Sequence, residues 1–228
     1  MKSESSQKLL TKTQAHEAFL ILNKRWPDAH CELGYNNDFQ LLIAVVLSAQ
    51  TTDKAVNKAL LPLFEKMPQF GPQDLVDMGE DAFREVIKTI GFGPTKAKNC
   101  YKLSQILLTK HAGKVPFQRE FLEELPGVGR KTANVVLNVL CGLPTMAVDT
   151  HVARLAVRIG FVKPTEDRRL IEDELLKLLP EEVKTKAHHQ LIFHGRYHCT
   201  ARAPKCSDCP LEGLCKKVGV GGHFKLRT

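Results

Sequence analysis

Four cysteines fall within seventeen residues near the C-terminus: Cys199, Cys206, Cys209 and Cys215, spaced C-x6-C-x2-C-x5-C. A stretch this short with this many thiols must fold around something, because exposed free thiols are a liability. Four thiolates are what a four-iron, four-sulfur cluster needs, one per iron. Zinc also takes four thiolates, but its structural sites come more often as two short Cys pairs separated by a longer stretch. Here only Cys206 and Cys209 form a short pair, and spacing alone leaves iron and zinc both open. A disulfide framework fits poorly. The chain has seven cysteines, an odd number, and residues 1–12 are polar with no apolar signal core. A reducing cytoplasm is the expected compartment. Cys31, Cys100 and Cys141 sit among apolar neighbours and are expected to pack in the core.

The rest of the 228 residues reads as helical nearly throughout. Apolar residues recur at helical spacing over 16–26, 53–66, 80–90, 95–111, 118–125, 130–141, 149–160, 165–179 and 182–194. Residues 39–50 are almost entirely apolar, too long for a typical strand, and are expected to form a buried helix. Thr52 or Asp53 is the expected N-cap of the helix over 53–66. Gly and Pro punctuate the connections, as in Gly91-Phe92-Gly93-Pro94 and Pro126-Gly127-Val128-Gly129. No alternating strand pattern competes, so the expected fold class is all-α. No apolar run reaches the ~18 residues of a membrane span.

The formal net charge is +8. That favours an anionic partner, nucleic acid first and a membrane surface second. Seven Lys or Arg (196, 202, 205, 216, 217, 225 and 227) against two acids lie within 196–228. The cysteine segment is therefore also the most basic one.

Residues 90–97 echo residues 126–133: two G-x-G turns, each opening a helix. The echo suggests two helix–hairpin–helix units. In the second, Gly127 and Gly129 permit positive φ and close backbone approach. The helix behind them offers free N–H groups and a positive dipole end, a site for a phosphate. A G-x-G turn alone is a weak signal. Its context here is Pro126 before, Arg130-Lys131-Thr132-Ala133 after, and a basic chain.

Four stretches together carry a resemblance: LPGVGRKTANV at 125–135, AVDTH at 147–151, LSAQTTD at 47–53 and HGRY at 194–197. With the four-cysteine spacing, they resemble the endonuclease III family of DNA glycosylases over about residues 16–217. The resemblance implies a bifunctional base-excision-repair enzyme. Such an enzyme removes an oxidised pyrimidine from duplex DNA and then nicks the strand as an abasic-site lyase. It implies a [4Fe-4S] cluster on Cys199, Cys206, Cys209 and Cys215. It also implies a catalytic lysine at Lys131 and a catalytic aspartate at Asp149. A lysine is needed because a hydroxyl cannot form an iminium with the sugar. Asp149 stands at an expected helix start, where capping alone would account for it. Thr150 offers an alternative cap that would release Asp149 for catalysis.

The DNA contacts implied are Gln50, filling the gap left by the extruded nucleotide, and Phe92, in the place of a wedge residue that is often Leu. Gly127, Val128, Gly129 and Arg130 are the hairpin contacts. His151, beside Asp149, is a further implied DNA contact, and Arg202 and Lys205 would lay charge on the phosphates. The resemblance further implies a six-helix barrel over 33–143 and a second helical domain over 1–32 and 144–228, with the active site between them. The protein would be a monomer in the cytoplasm, nucleoid-associated if bacterial, with damaged or abasic duplex DNA as partner and no membrane contact.

Two other functions are compatible with parts of the sequence. A monofunctional glycosylase of the same fold is disfavoured by Lys131, since the related adenine-mismatch enzymes lack lysine there. A DNA-binding module without catalysis would need neither Lys131 nor Asp149.

Overall fold

A computed structural model describes residues 8–220. Lys225 and Arg227 lie outside the described residues. No strand occurs among the described residues. The expected all-α class holds. The chain divides into two compact units, Cys31–Gly142 and the pair of segments Met1–His30 and Leu143–Thr228.

The unit Cys31–Gly142 is built around α2 (Asp38–Leu47), in which nine of the ten residues are buried. Asn37 caps it, accepting the Gln40 N–H at 2.9 Å. Around α2 pack α3 (Asp53–Lys66), α6 (Gly93–Lys110) and α8 (Arg130–Cys141). The short helices α4 (Pro72–Met78), α5 (Glu80–Val86) and α7 (Arg119–Glu123) close the rest. Thr52, not Asp53, caps α3. The stretch that becomes α4 reads as a connection in the sequence. Gly71 and Gly79 flank it, and Leu75 is its one buried residue, so it has no periodic face. The Arg119 guanidinium donates to the Asn134 side chain, tying α7 to α8. Cys100 is buried and Cys31 and Cys141 pack against this core, as expected.

In the other unit, α1 (Lys12–Arg25) begins four residues before its apolar periodicity does. A capping box explains the early start: Thr11 Oγ1 accepts the Gln14 N–H, and Gln14 Oε1 accepts the Thr11 N–H. Then come α9 (Thr150–Ile159), α10 (Arg168–Leu178) and α11 (Ala187–Phe193). Asp167 Oδ1 accepts the N–H groups of Arg169 and Leu170, so α10 starts later than the sequence pattern indicates. The single helix expected over 182–194 is three pieces: a 3-10 turn Glu181–Val183, α11, and a π-helical turn His194–His198.

Candidate active site and metal centre

The hairpin before α8 is a tight turn, with the Val128 N–H donating to the Leu125 carbonyl at 3.0 Å. Pro126 and Gly127 occupy its centre, and Gly127 takes φ 82°. A Cβ on Gly127 would lie 3.1 Å from Asn99 Nδ2 and 3.2 Å from Val46 Cγ1. Glycine is therefore required there by conformation and by space. Val128 is buried in the core. A DNA contact at Val128 would be made through its backbone. Gly129 is the N-cap of α8 and has no side chain to offer. The N-cap residue therefore makes no side-chain hydrogen bond to the first turn of α8. Lys131 is the second residue of α8 and is exposed.

The first hairpin is not a copy of the second. In the sequence echo Gly91 and Phe92 match Gly127 and Val128, yet the left-handed residue here is Phe92, at φ 60°. Its side chain is 67% exposed, so it does not anchor the core. Gln50 likewise takes a left-handed φ of 55° and is exposed, in the turn after α2 rather than on the helix. Non-glycine residues held in this region store strain and cluster at functional sites.

Asp149 is half-buried, and Oδ1 accepts the Val152 N–H at 2.8 Å. It is the N-cap of α9, so Thr150 does not take that role. No hydrogen bond to Oδ2 is made among the described residues. The Asp149 carbonyl accepts from Arg168 Nη1 at 2.7 Å, which fixes the backbone from its other side. His151 is half-buried, its Nδ1 3.2 Å from Arg154 Nη2. A Cβ on Gly195 would lie 2.9 Å from the His151 Cβ, so the HGRY segment closes directly onto α9.

The four cysteines line a single cavity, with Arg158, His194, His198 and Lys205 also in its wall. Several nitrogen donors face the sulfurs, the Leu211 backbone N–H on Cys209 among them. Arg158 Nη1 donates to Cys199 Sγ at 3.5 Å, and the Lys217 backbone N–H donates to Cys215 Sγ at 3.4 Å. His194 Nε2 stands 3.6 Å from Cys209 Sγ. Trp26 Nε1 donates to His194 Nδ1 at 3.3 Å. That assigns Nδ1 as acceptor and leaves Nε2 to carry the proton toward Cys209. Burial pushes the His194 imidazole down to about 4, which keeps it neutral. Burial also pushes the Cys209 and Cys215 thiols up, so a metal centre must displace protons to bind there. Four thiols with N–H donors and a guanidinium aimed at them suit an anionic iron–sulfur cluster. Arg202 and Lys205 are exposed on this loop.

Residues 43–181 match the model of the HhH-GPD superfamily base excision DNA repair proteins, and residues 199–215 match the iron–sulfur binding domain of endonuclease III. Endonuclease III of Haemophilus influenzae is 49% identical over 207 residues, covering 91% of this chain and 97% of that protein. Endonuclease III of Rickettsia conorii is 48% identical over 200 residues, 88% and 94% of the two chains. A solved structure of an endonuclease III–DNA covalent intermediate, trapped as an estranged-adenine complex, superposes with a TM-score of 0.86 at 46% identity. It covers 92% of this chain and 97% of its own.

The chain belongs to the endonuclease III family.

Base-excision repair of DNA by glycosylase and abasic-site lyase chemistry is the activity of that family, and duplex DNA is its partner. The endonuclease III iron–sulfur domain resolves the choice that cysteine spacing left open: the metal centre is a [4Fe-4S] cluster rather than zinc. No helix among the described residues is long and apolar enough to cross a membrane. Three residues of the centre escaped the sequence reading: Arg154, Arg158 and His194 as a sulfur partner. The signal was available for two of them. Arg154 and Arg158 stand four apart on α9, among its buried Val, Ala and Leu residues.

Proposed function

We propose that Lys131 is the nucleophile of a bifunctional glycosylase acting on oxidised pyrimidines in duplex DNA, and that Asp149 assists it. The observation that carries this reading is the position of Lys131. It is exposed in the first turn of a helix whose N-cap residue is a glycine, directly after the Gly127–Gly129 turn. That helix end attracts the phosphate flanking the damaged nucleotide.

In the reaction, the neutral Nζ of Lys131 attacks C1′ and the base leaves with the glycosidic electron pair and a proton. The sugar ring opens to a protonated imine. The imine acidifies C2′–H, and loss of that proton expels the 3′ phosphate by β-elimination. Water then hydrolyses the imine and frees the lysine. Asp149 stabilises the cationic sugar and relays protons. Support for this comes from its two oxygens having different tasks. Oδ1 is engaged by the Val152 N–H, and Oδ2 has no hydrogen bond among the described residues.

Gln50 and Phe92 occupy the space left by the extruded nucleotide. Their exposure and left-handed backbones support that role. Gly127, Gly129 and Arg130 contact the phosphate backbone, as do Arg202 and Lys205 on the cysteine loop, with His151 held beside Asp149. Cys199, Cys206, Cys209 and Cys215 hold the cluster, which supplies a folded, charged loop rather than bond-breaking chemistry. The domains correspond to 33–143 and to 1–32 with 144–228. The enzyme works as a monomer in the cytoplasm, where its DNA substrate lies.

Borohydride trapping tests the reading. A duplex with one oxidised pyrimidine and a duplex with one abasic site should each give a covalent adduct, absent in Lys131→Ala. An adduct that survives Lys131→Ala would remove Lys131 as nucleophile. An adduct on the abasic duplex alone would keep the lyase and overturn the choice of base.

A further inference from the structure

Lys96 is a buried lysine, 7% exposed, with no carboxylate among its hydrogen-bond partners. Its Nζ donates to the Leu47 carbonyl at 2.9 Å, the Ala49 carbonyl at 2.6 Å and Thr51 Oγ1 at 2.9 Å. An ammonium has three N–H donors, and here each has an acceptor. The Leu47 carbonyl ends α2, where helical carbonyls lack intrahelical partners and a cation is favoured, and the Ala49 carbonyl lies in the turn that follows. Desolvation pushes the Lys96 pKa down, and the complete set of oxygen acceptors favours the charged form against that cost.

What these acceptors have in common is Gln50. Ala49 and Thr51 are its two chain neighbours, and Gln50 itself is exposed at φ 55°. Lys96 stands in the first turn of α6, whose N-cap is Phe92. Its N–H donates to the carbonyl of Phe92 at 3.0 Å, and Phe92 is exposed at φ 60°. One residue therefore bonds through its side chain to the turn that holds Gln50 and through its backbone to the turn that holds Phe92. The side chain thus ties the first turn of α6, which Phe92 caps, to the turn that holds Gln50.

We propose that Lys96 is a positioning residue that holds Gln50 and Phe92 as a preformed pair, ready to enter the duplex when the damaged nucleotide leaves the stack. This rests on the reading that Gln50 and Phe92 fill that space. Side chains held in place before binding cost less ordering free energy at the moment of insertion. An apolar residue at 96 would remove the ammonium from all three oxygens, leaving the Ala49 carbonyl only the Thr51 hydroxyl at 3.4 Å, and let the Ala49–Thr51 turn relax from its left-handed conformation. Phosphate affinity would be untouched, because it comes from charge elsewhere on the protein.

The test uses the full-length, cluster-loaded protein and two abasic substrates. One is a duplex with 2-aminopurine opposite the abasic site, whose fluorescence rises when that base is unstacked. The other is the same abasic strand without its complement, where no gap needs filling and only the lysine chemistry is read. Lys96→Met should lower strand cleavage on the duplex about tenfold or more and abolish most of the fluorescence rise. It should cleave the single strand at the wild-type rate. Thr51→Val, which removes one of the three acceptors, should show a smaller loss in the same direction and guards against a misfolded Lys96→Met. Equal losses on both substrates would make Lys96 a general structural residue and overturn the inference. So would wild-type behaviour of both variants while Gln50→Ala and Phe92→Ala are impaired on the duplex. If Gln50→Ala and Phe92→Ala themselves match wild type in cleavage and fluorescence, the reading of those two residues falls and the inference falls with it.

Discussion

Arg158 Nη1 donates to Cys199 Sγ at 3.5 Å, and the same guanidinium donates to the Thr200 and Ala201 carbonyls, each at 2.7 Å. The arginine is 9% exposed. It holds the first cysteine of the loop by its sulfur and by the backbone that follows it. Arg158→Met should therefore release the loop. Hydrogen bonds from a charged donor contribute about 1.5–3 kcal/mol each, so a loss of about 3 kcal/mol in urea unfolding is expected. The absorbance near ~400 nm should also bleach faster in the presence of an iron chelator. Wild-type bleaching in the variant would show that the loop does not depend on this residue.

Asp149 allows capping and catalysis to be separated by two substitutions. Asparagine is as good an N-cap as aspartate, whereas alanine costs about 1 kcal/mol at such a position. Asp149→Asn should keep the melting temperature within a degree or two of wild type, and Asp149→Ala should lower it visibly. Both should reduce single-turnover base excision by about 100-fold or more, the scale on which positioned proton-transfer groups act. Activity retained in Asp149→Asn would reduce the residue to a cap.

Gly127 and Gly129 should respond in opposite ways to alanine. At Gly127 the new Cβ meets Asn99 and Val46 at 3.1–3.2 Å on a backbone at φ 82°, so destabilisation of about 2 kcal/mol is expected. At Gly129 the backbone is extended and nothing lies within 4 Å of the added Cβ. Gly129→Ala should cost less than about 1 kcal/mol. Its methyl group would instead stand at the uncapped start of α8, weakening binding to an abasic duplex. Chemical denaturation and a fluorescence binding titration, run side by side, distinguish the two.

His189 is expected to make the fold sensitive to mild acid. Burial pushes its pKa down to about 4, with the nearby His30 adding to the effect. In the unfolded chain an ordinary histidine binds its proton near ~6.5. Between these values the unfolded state holds the extra proton, so stability falls as pH drops from ~6.5 toward ~4. The stabilisation is complete above ~6.5. The shift corresponds to about 3 kcal/mol at most. His189→Gln should flatten this part of the stability profile, measured by urea midpoints at several pH values. An unchanged slope would assign the acid sensitivity to another group.

The long helices were legible because their burial is periodic. The helix α8 has the bounds that its apolar spacing indicates, with Gly129 before it and Gly142 after it. Shorter elements were not legible: α4 buries only Leu75 and so leaves no pattern. Termini moved where a side chain outcompeted periodicity, as Thr11 does for α1 and Asp167 for α10. Of the site, the residues with distinctive chemistry stood out in the sequence: Lys131, Asp149 and the cysteines. Residues that act by holding others did not. Lys96 reads as one more basic residue at a helix start until its three oxygen partners are seen. The echo between the two G-x-G turns was visible as letters. It did not extend to the backbone, because Phe92 rather than Gly91 takes the left-handed conformation.

The helix α9 has ten residues, about 15 Å from end to end. Asp149 caps its first turn, and Arg154 and Arg158 project from its body to the Gly195, Cys199, Thr200 and Ala201 carbonyls. Past its end, the Lys216 and Val218 N–H groups close onto the Ile159 and Arg158 carbonyls. The cysteine segment is thus clamped along the rod whose tip presents the Asp149 carboxylate. One lever, ten residues long, therefore joins the cysteine loop to that carboxylate.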